Sequence, residues 1–258
     1  MTKVWAIAGV VIREMSRRKD FYVLFIITVL LSLIMASVNF FNEEKIVRYL
    51  KELCLLLIWI VSLVISITTA ARQIPAEREQ RTLYPLLAKP VTRPQVLLGK
   101  FLGCWLAAGG TLICFYLFFG LLAMTREQAW PVLNYIQAGA LHWMLLGVVI
   151  AFVLFGSLVF AAPSSNITIS FILTVSILVV GRHLNKVALQ LAEPMRTVTY
   201  AIYYVIPHLE LFDVRDLIVH NWPLIPWNYW ALALGYGSFF AALFLWLGCW
   251  AFQKKQMN

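Results

Sequence analysis

Charged residues are scarce in this chain. Of its 258 residues, 13% are Asp, Glu, Lys or Arg and 62% are apolar, whereas a typical water-soluble domain carries about 25% charged residues. A soluble globular fold is therefore excluded. Acids are scarcer than bases, with 12 against 21 and a net charge of +9. Such a balance suits nucleic acid, an anionic membrane surface or a topology signal, and the positions of the charges decide among them.

Cysteine is also scarce, and the four cysteines lie inside apolar runs with no pair at a spacing typical of metal ligands. We therefore expect neither a disulfide framework nor a zinc site, and we predict no metal-binding residue. We interpret these residues as small buried hydrophobic side chains. They are Cys54, Cys104, Cys114 and Cys249.

Motifs for catalysis are missing as well. The sequence has no His-Glu-x-x-His, no Gly-x-Ser-x-Gly and no pair of carboxylates inside an apolar run, which excludes the usual intramembrane enzymes. A phosphate-binding loop needs Gly, four residues, Gly-Lys and then Ser or Thr. Here Gly99-Lys100 is followed by Phe101, and Pro94 stands where the first glycine would be. We expect no catalytic residue, so the chain is not an enzyme by itself.

What the chain has instead is long uncharged runs. A helix needs about 20 apolar residues to cross a hydrocarbon core of about 30 Å. The run from Gln128 to Gly181 is too long for one crossing, and the turn-forming residues from Pro163 to Asn166 divide it. The sequence thus predicts an all-α membrane protein with six transmembrane helices in a single domain, residues 1–258. The predicted spans lie at about 21–42, 53–71, 97–124, 138–162, 166–181 and 227–252.

Lysine and arginine indicate the orientation. Thirteen lie on the side of the two termini and eight on the other, so the positive-inside rule places both termini in the cytoplasm. The acids divide as four and eight, which leaves the whole excess of +9 on the cytoplasmic face. The basic balance is therefore an orientation signal, and no nucleic-acid partner is expected. The uncharged runs that define the spans also argue against an ion-coupled carrier, which needs ionisable groups within the membrane.

Residues 4–15 precede the first span and have helical periodicity. Their apolar residues share one face, which predicts a helix lying in the membrane interface. The alternative is a polar tail without fixed structure. The residues of the apolar face are Val4, Ala8, Val11, Ile12 and Met15.

The cytoplasmic loop between the second and third spans is the most informative stretch. Pro75 suits a first helical position, two glutamates follow in the first turn, and Pro85 limits the helix, so we predict a short charged helix at about 76–84. Thr92 and Gln95 match a capping box that opens the third span.

The loop and the start of the third span contain a distinctive run of residues, namely Glu77-Arg78-Glu79, Thr82-Leu83, Leu86-Leu87-Ala88, Pro90-Val91-Thr92-Arg93 and Gly99-Lys100. This run resembles the corresponding segment of type-2, exporter-type ATP-binding-cassette (ABC) permeases. The resemblance implies that the short helix is a coupling helix, which docks on a separate ATPase subunit. The alternative is an ordinary positive-inside loop without a partner. The residues expected to engage the ATPase are Glu77, Arg78, Glu79, Arg81, Thr82 and Leu83.

The resemblance also implies partners. We expect two ABC ATPase subunits, a second permease chain that is identical or homologous, and the lipid bilayer of the plasma (cytoplasmic or inner) membrane. ATP and Mg would bind to the ATPase, and this chain would hold no cofactor. The implied function is export of an unidentified substrate by alternating access. The alternative is a non-transporting membrane scaffold or mechanical transmitter that uses the same ATPase coupling.

Two spans each carry a polar face, and the resemblance implies that both approach the dimer centre. These faces either line a translocation route or hydrogen-bond neighbouring helices and their own backbone. The candidates are Ser62, Ser66 and Thr69 on span two, and Asn166, Ser170 and Thr174 on span five. A stripe of small residues on span three, formed by Gly99, Gly103 and Ala107, predicts close helix packing. The lone His142 in span four is expected to pack or to form an interhelical hydrogen bond.

The external segment, residues 182–222, contains three of the four histidines. Together with nearby acids they have the chemistry to bind a metal or an extracytoplasmic partner, but the spacing matches no standard metal motif. The simplest expectation is a solvated or interfacial loop with short helices. The residues are His183, His208, His220, Glu210, Asp213 and Asp216.

Overall fold

A computed structural model describes residues 2–17, 19–37, 43–79, 91–124, 131–160 and 162–254. Within these ranges the regular structure is entirely helical, which confirms the predicted all-α class. The elements are α1 Thr2–Arg17, α2 Lys19–Ser37, α3 Glu43–Arg72, α4 Pro75–Glu79, α5 Arg93–Met124, α6 Val132–Val159, α7 Pro163–Gln190, α8 Met195–Val205, a 3-10 helix Leu209–Phe212, α9 Arg215–Val219 and α10 Trp227–Lys254.

Five helical stretches in the described ranges are long and apolar enough to cross a membrane, so the protein is an integral multi-pass membrane protein. The stretches are Arg48–Glu79, Arg93–Met124, Val132–Val159, Pro163–Gly181 and Trp227–Lys254. The first predicted span corresponds to α2, whose apolar part, Tyr22–Ile34, is shorter. Residues 38–42 of that span lie outside the described residues, and the sixth crossing stays a prediction.

Proline sets the break between α6 and α7. Ala162 has the extended conformation (φ −93°, ψ 137°), and Pro163 stands in the first turn of α7. Because a proline disfavours helical geometry in the residue before it, α6 has to end here. The membrane-spanning stretch Pro163–Gly181 agrees with the predicted span 166–181, although helix α7 continues to Gln190, and α6 begins at Val132, earlier than the predicted 138. A charged residue ends an apolar run but does not by itself end a helix. Helix α7 continues beyond the apolar run and ends at Gln190, shortly before Pro194.

Helix α6 lies at the centre of the fold and contacts α3, α5, α7 and α10. Every residue from Met144 to Ala151 is buried. Trp105 of α5 and Trp143 of α6 join two of these helices: their rings stack with centroids 4.5 Å apart. The indole N–H of Trp105 donates to the carbonyl of Trp143 at 3.0 Å, and that of Trp143 donates to the carbonyl of Trp105 at 2.9 Å.

The small-residue stripe on α5 contacts α1. A Cβ atom built on Gly99 would lie 2.7 Å from Cβ of Ile7, and one built on Gly103 would lie 2.6 Å from Cβ of Val11. No side chain fits at either glycine without displacing α1. The predicted apolar face of α1 therefore packs on α5, and three of its residues are buried, namely Ala8, Val11 and Met15. Ala107, the third member of the stripe, is half-buried.

Candidate functional site

The short helix of the cytoplasmic loop follows directly on α3. Gln73 and Ile74 form a turn, and α4 then begins at Pro75, the position expected of a proline in the first helical turn. The backbone N–H of Arg78 donates to the carbonyl of Ile74 at 3.1 Å. The observed helix, Pro75–Glu79, covers the start of the predicted range 76–84. Its remainder lies outside the described residues, as do three of the predicted ATPase contacts, Arg81, Thr82 and Leu83.

A buried lysine ties this turn to α5. Nζ of Lys100 lies 2.7 Å from Oε1 of Glu77, 2.8 Å from the carbonyl oxygen of Gln73 and 3.4 Å from its Oε1. The lysine is 2% exposed. An ammonium has three N–H donors, and here each of them has an oxygen within reach. Burial of an unpaired charge is very costly, so this complete set of acceptors makes the position tolerable.

The three described residues predicted to meet the ATPase thus differ in their surroundings. Glu77 directs Oε1 to Lys100 within its own chain. Arg78 is half-buried, and its Nη2 has no hydrogen-bond acceptor among the described residues. Glu79 is exposed. Their contact with an ATPase stays a prediction, and Glu79 is the residue most accessible for it.

Two further contacts fix the start of α5. The backbone N–H of Thr92 donates to Oε1 of Gln95 at 3.1 Å, which is one of the two bonds of the predicted capping box. Nη1 of Arg93 donates to the carbonyls of Phe252 and Gln253 at 2.7 and 3.0 Å. Those carbonyls belong to the last turn of α10, where a cation is favourable. Arg93 and Lys100 belong to the motif that carries the family resemblance, but the contacts of neither residue were predicted from the sequence.

The predicted polar face of α3 points into the bundle, and its three residues are buried. Oγ of Ser62 lies 2.8 Å from Nε2 of His142, and Nδ1 of the same ring lies 3.3 Å from the hydroxyl of Tyr116. His142 thus makes the interhelical contacts expected of it. Thr69 donates to the carbonyl of Ile65 at 2.5 Å, four residues earlier in the same helix. Ser66 is 0% exposed.

The polar face of α7 is likewise turned inward, with all three residues buried. Nδ2 of Asn166 donates to the carbonyl of Val153 at 3.2 Å and to that of Ala71 at 3.5 Å. Oγ of Ser170 donates to Oδ1 of Asn166 at 3.1 Å. Thr174 is 1% exposed. These contacts join α3, α6 and α7 within one chain, and a role in translocation stays a prediction.

A groove of about 570 Å³ opens between α5 and α6. Its lining is almost entirely apolar and contains no candidate pathway residue; among its residues are Gly109, Gly110, Tyr116, Gly139 and Trp143. Such a groove suits a hydrocarbon chain rather than a polar solute.

The external segment contains short helices, as expected, and the first of them, α8, has no buried residue. The later part, from the 3-10 helix to α9, packs into the bundle. The buried residues of its 3-10 helix and of α9 lie against α3, α6 and α7. A second buried lysine, Lys51 of α3, is 1% exposed and donates to the carbonyl of Ile218 at 3.3 Å and to Oδ1 of Asn221 at 3.2 Å. The buried apolar residues are Leu209, Phe212, Leu217, Ile218 and Val219.

Several charged or histidine side chains of this segment have partners in the same chain. His208 contacts Glu210 at 3.0 Å, and Nε of Arg215 donates to Asp213 at 2.7 Å. His220 contacts Arg48 of α3. Across the described ranges, no three His, Cys, Asp or Glu side chains come together in a way that could hold a metal ion.

These features define a class. The protein is a helical, multi-pass membrane protein in which a short helix, α4, is anchored to the end of the bundle. The family model described as "ABC-2 family transporter protein" matches residues 5–257, and the chain belongs to that family. No curated protein matches the chain. Family membership makes it a membrane transporter permease subunit and implies association with an ABC ATPase and with a membrane.

Proposed function

We propose that this chain couples ATP hydrolysis by a separate ATPase subunit to export of a substrate by alternating access. The observation that carries the proposal is α4, a charged helix at one end of the bundle that is joined to α3 by a two-residue turn and to α5 by Lys100. A protein that presses on α4 would act on two long membrane helices at once. Two ATPase subunits and a second permease chain, identical or homologous, complete the proposed transporter.

The proposed orientation has both termini in the cytoplasm of a plasma or inner membrane. It is supported by the concentration of Lys and Arg on the side that carries α4. ATP and Mg belong to the ATPase in this proposal, and the permease contributes no cofactor site. The ATPase contact is polar, and Glu79 at its rim supplies charge complementarity rather than contact area.

A second candidate function is a membrane scaffold or mechanical transmitter that moves no solute. It is supported by α3, which begins beside the external segment, bound through Lys51, and ends at α4. Movement of α4 could therefore reach an extracytoplasmic partner of the segment 182–222 through one helix.

The proposal is tested with the full chain, purified under mild conditions and reconstituted in vesicles. We expect an ABC ATPase chain to co-purify, and Glu79→Lys to reduce the amount recovered. Lys254→Met is the control, because it removes an exposed charge at the end of α10. If the wild-type chain captures no ATPase, the proposal fails.

Transport is then measured with two probes in the same vesicles, a fluorescent phospholipid analogue and a lipophilic cationic dye. ATP-dependent movement of either probe supports export. If neither moves, while ATP changes the exposure of the external segment to a membrane-impermeant label, export is rejected in favour of the scaffold.

A further inference from the structure

The ion pair between Lys100 and Glu77 lies where a moving helix would meet a stationary bundle. We propose that this pair is the link that transmits displacement of α4 to α5, with both residues acting as positioning residues. The inference rests on the proposed function, because it assumes that an ATPase displaces α4.

Helix α4 cannot hold its own position. It has five residues, and helices shorter than about 12 residues are marginal without tertiary contacts. Its connection to α3 is the two-residue turn at Gln73 and Ile74. Burial of Ile74 and Pro75 holds the start of α4 against the bundle, and the contact with Lys100 adds a charged link from α4 to α5.

Lys100 contacts both α4 and the turn before it, the two parts that the ATPase would displace. Its ammonium contacts Glu77 on α4 at 2.7 Å and the carbonyl of Gln73 in the turn at 2.8 Å. Lys100 is buried whereas Glu77 is 32% exposed, so separation of the two charges would leave the buried ammonium with the oxygens of Gln73 alone and without its counter-charge. The least costly response to a push on α4 is for Lys100, and α5 with it, to follow.

From this position a movement of α5 would reach further helices. Lys100 lies seven residues after Arg93, which is about 10 Å along α5. Within that distance Arg93 binds the end of α10, and Gly99 contacts α1. The first quarter of α5 thus joins α1, α4 and α10, and Lys100 is the residue that contacts α4.

If Lys100 had only a structural role, its replacement would have the same effect as replacement of another buried lysine. The chain contains such a lysine, which serves as a matched control. Lys51 is buried to the same degree as Lys100 and also binds a backbone carbonyl, but at the external end of α3. Lys51→Met measures the general effect of removing a buried ammonium, and Lys100→Met adds the loss of the α4 contact. Lys100→Arg retains the positive charge and several donors.

The experiment uses the full permease with the ATPase chain that co-purifies with it, in lipid nanodiscs. Nitroxides are attached at Ile60 of α3 and Leu98 of α5, both exposed, after replacement of the four native cysteines by alanine. The distance between the labels is measured by pulsed electron resonance without nucleotide and with ATP plus vanadate. Recovery of the ATPase and the thermal midpoint are recorded for every variant.

We expect the nucleotide to shift the distance in the reference protein, in Lys51→Met and in Lys100→Arg. Lys100→Met should abolish the shift while the ATPase still co-purifies. If Lys100→Met does not fold, Glu77→Gln is used, which keeps a polar side chain but removes the charge, and it should diminish the shift. A full shift in Lys100→Met, or in Glu77→Gln, overturns the link. Absence of a shift in the reference complex also overturns it, whereas failure to recover any ATPase rejects the proposed function instead.

Discussion

Asn166 shows how single polar residues hold this bundle together. Its amide donates to carbonyls of α3 and α6, and its oxygen accepts from Ser170 on its own helix. The residue is 0% exposed. A hydrogen-bonding group in this position specifies how three helices meet, since any displacement would leave buried polar atoms without partners.

We predict that Asn166→Ala lowers the free energy of unfolding by about 1–3 kcal/mol, the usual cost of leaving buried hydrogen-bonding groups unsatisfied. The measurement is the midpoint of thermal unfolding in detergent. Asn228→Ala is the control, because Asn228 is exposed at the start of α10. An unchanged midpoint, together with altered movement of the vesicle probes, would instead support a role for Asn166 in translocation.

At the scale of elements, local sequence patterns predicted where helices begin and which face of α1 packs. Pro75 and Pro163 begin α4 and α7, and the apolar face of α1 is the face that packs. These features depend on backbone restrictions and on periodicity, which a few neighbouring residues determine. The contact of Lys100 with Gln73 joins residues 27 apart, and that of Ser62 with His142 joins residues 80 apart. Such pairings depend on how helices pack, so no local pattern predicted them.

The packing of α1 on α5 supplies a test at this scale. Gly103→Ala would place a Cβ atom 2.6 Å from Cβ of Val11 and 2.9 Å from the carbonyl oxygen of Ala8, so α1 has to move away. We expect a lower thermal midpoint and faster hydrogen exchange in α1. Gly110→Ala on the same helix has no atom within 4 Å of the new methyl and should be neutral or slightly stabilising, since alanine favours helix over glycine. Equal behaviour of the two variants would contradict this packing.

At the scale of the whole molecule, α3 has a buried lysine contact near each end. Lys51 binds the external segment, and the turn after α3 binds Lys100. Lys51 lies just before the predicted span 53–71 and Lys100 lies within the predicted span 97–124, and neither contact was predicted from the sequence. In the structure each lysine connects two segments of the chain. Composition alone does not distinguish such a lysine from a solvated charge that flanks a span.

The orientation of the molecule can be measured directly. Cysteines are introduced singly at Ser16 of α1 and at Trp222 of the external segment, both exposed, in a background without native cysteines. With both termini in the cytoplasm, an impermeant maleimide added to intact cells should label position 222 and not position 16. Lysis should then expose position 16. The reverse pattern would contradict the orientation that the Lys and Arg distribution predicts.

The contact of Lys51 with the external segment is the polar connection through which α3 would act on a partner outside the membrane in the scaffold function. Lys51→Met removes the donor to Ile218 and Asn221, so we expect faster hydrogen exchange in residues 209–219 with unchanged recovery of the ATPase. Lys254→Met, which removes an exposed lysine lying over the ring of Trp250 at 3.8 Å, should leave that exchange unaltered. If Lys51→Met also leaves the exchange unaltered, the segment is held by its apolar residues alone. Movement of α3 would then have no polar connection through which to reach it, and the scaffold function would lose its structural support.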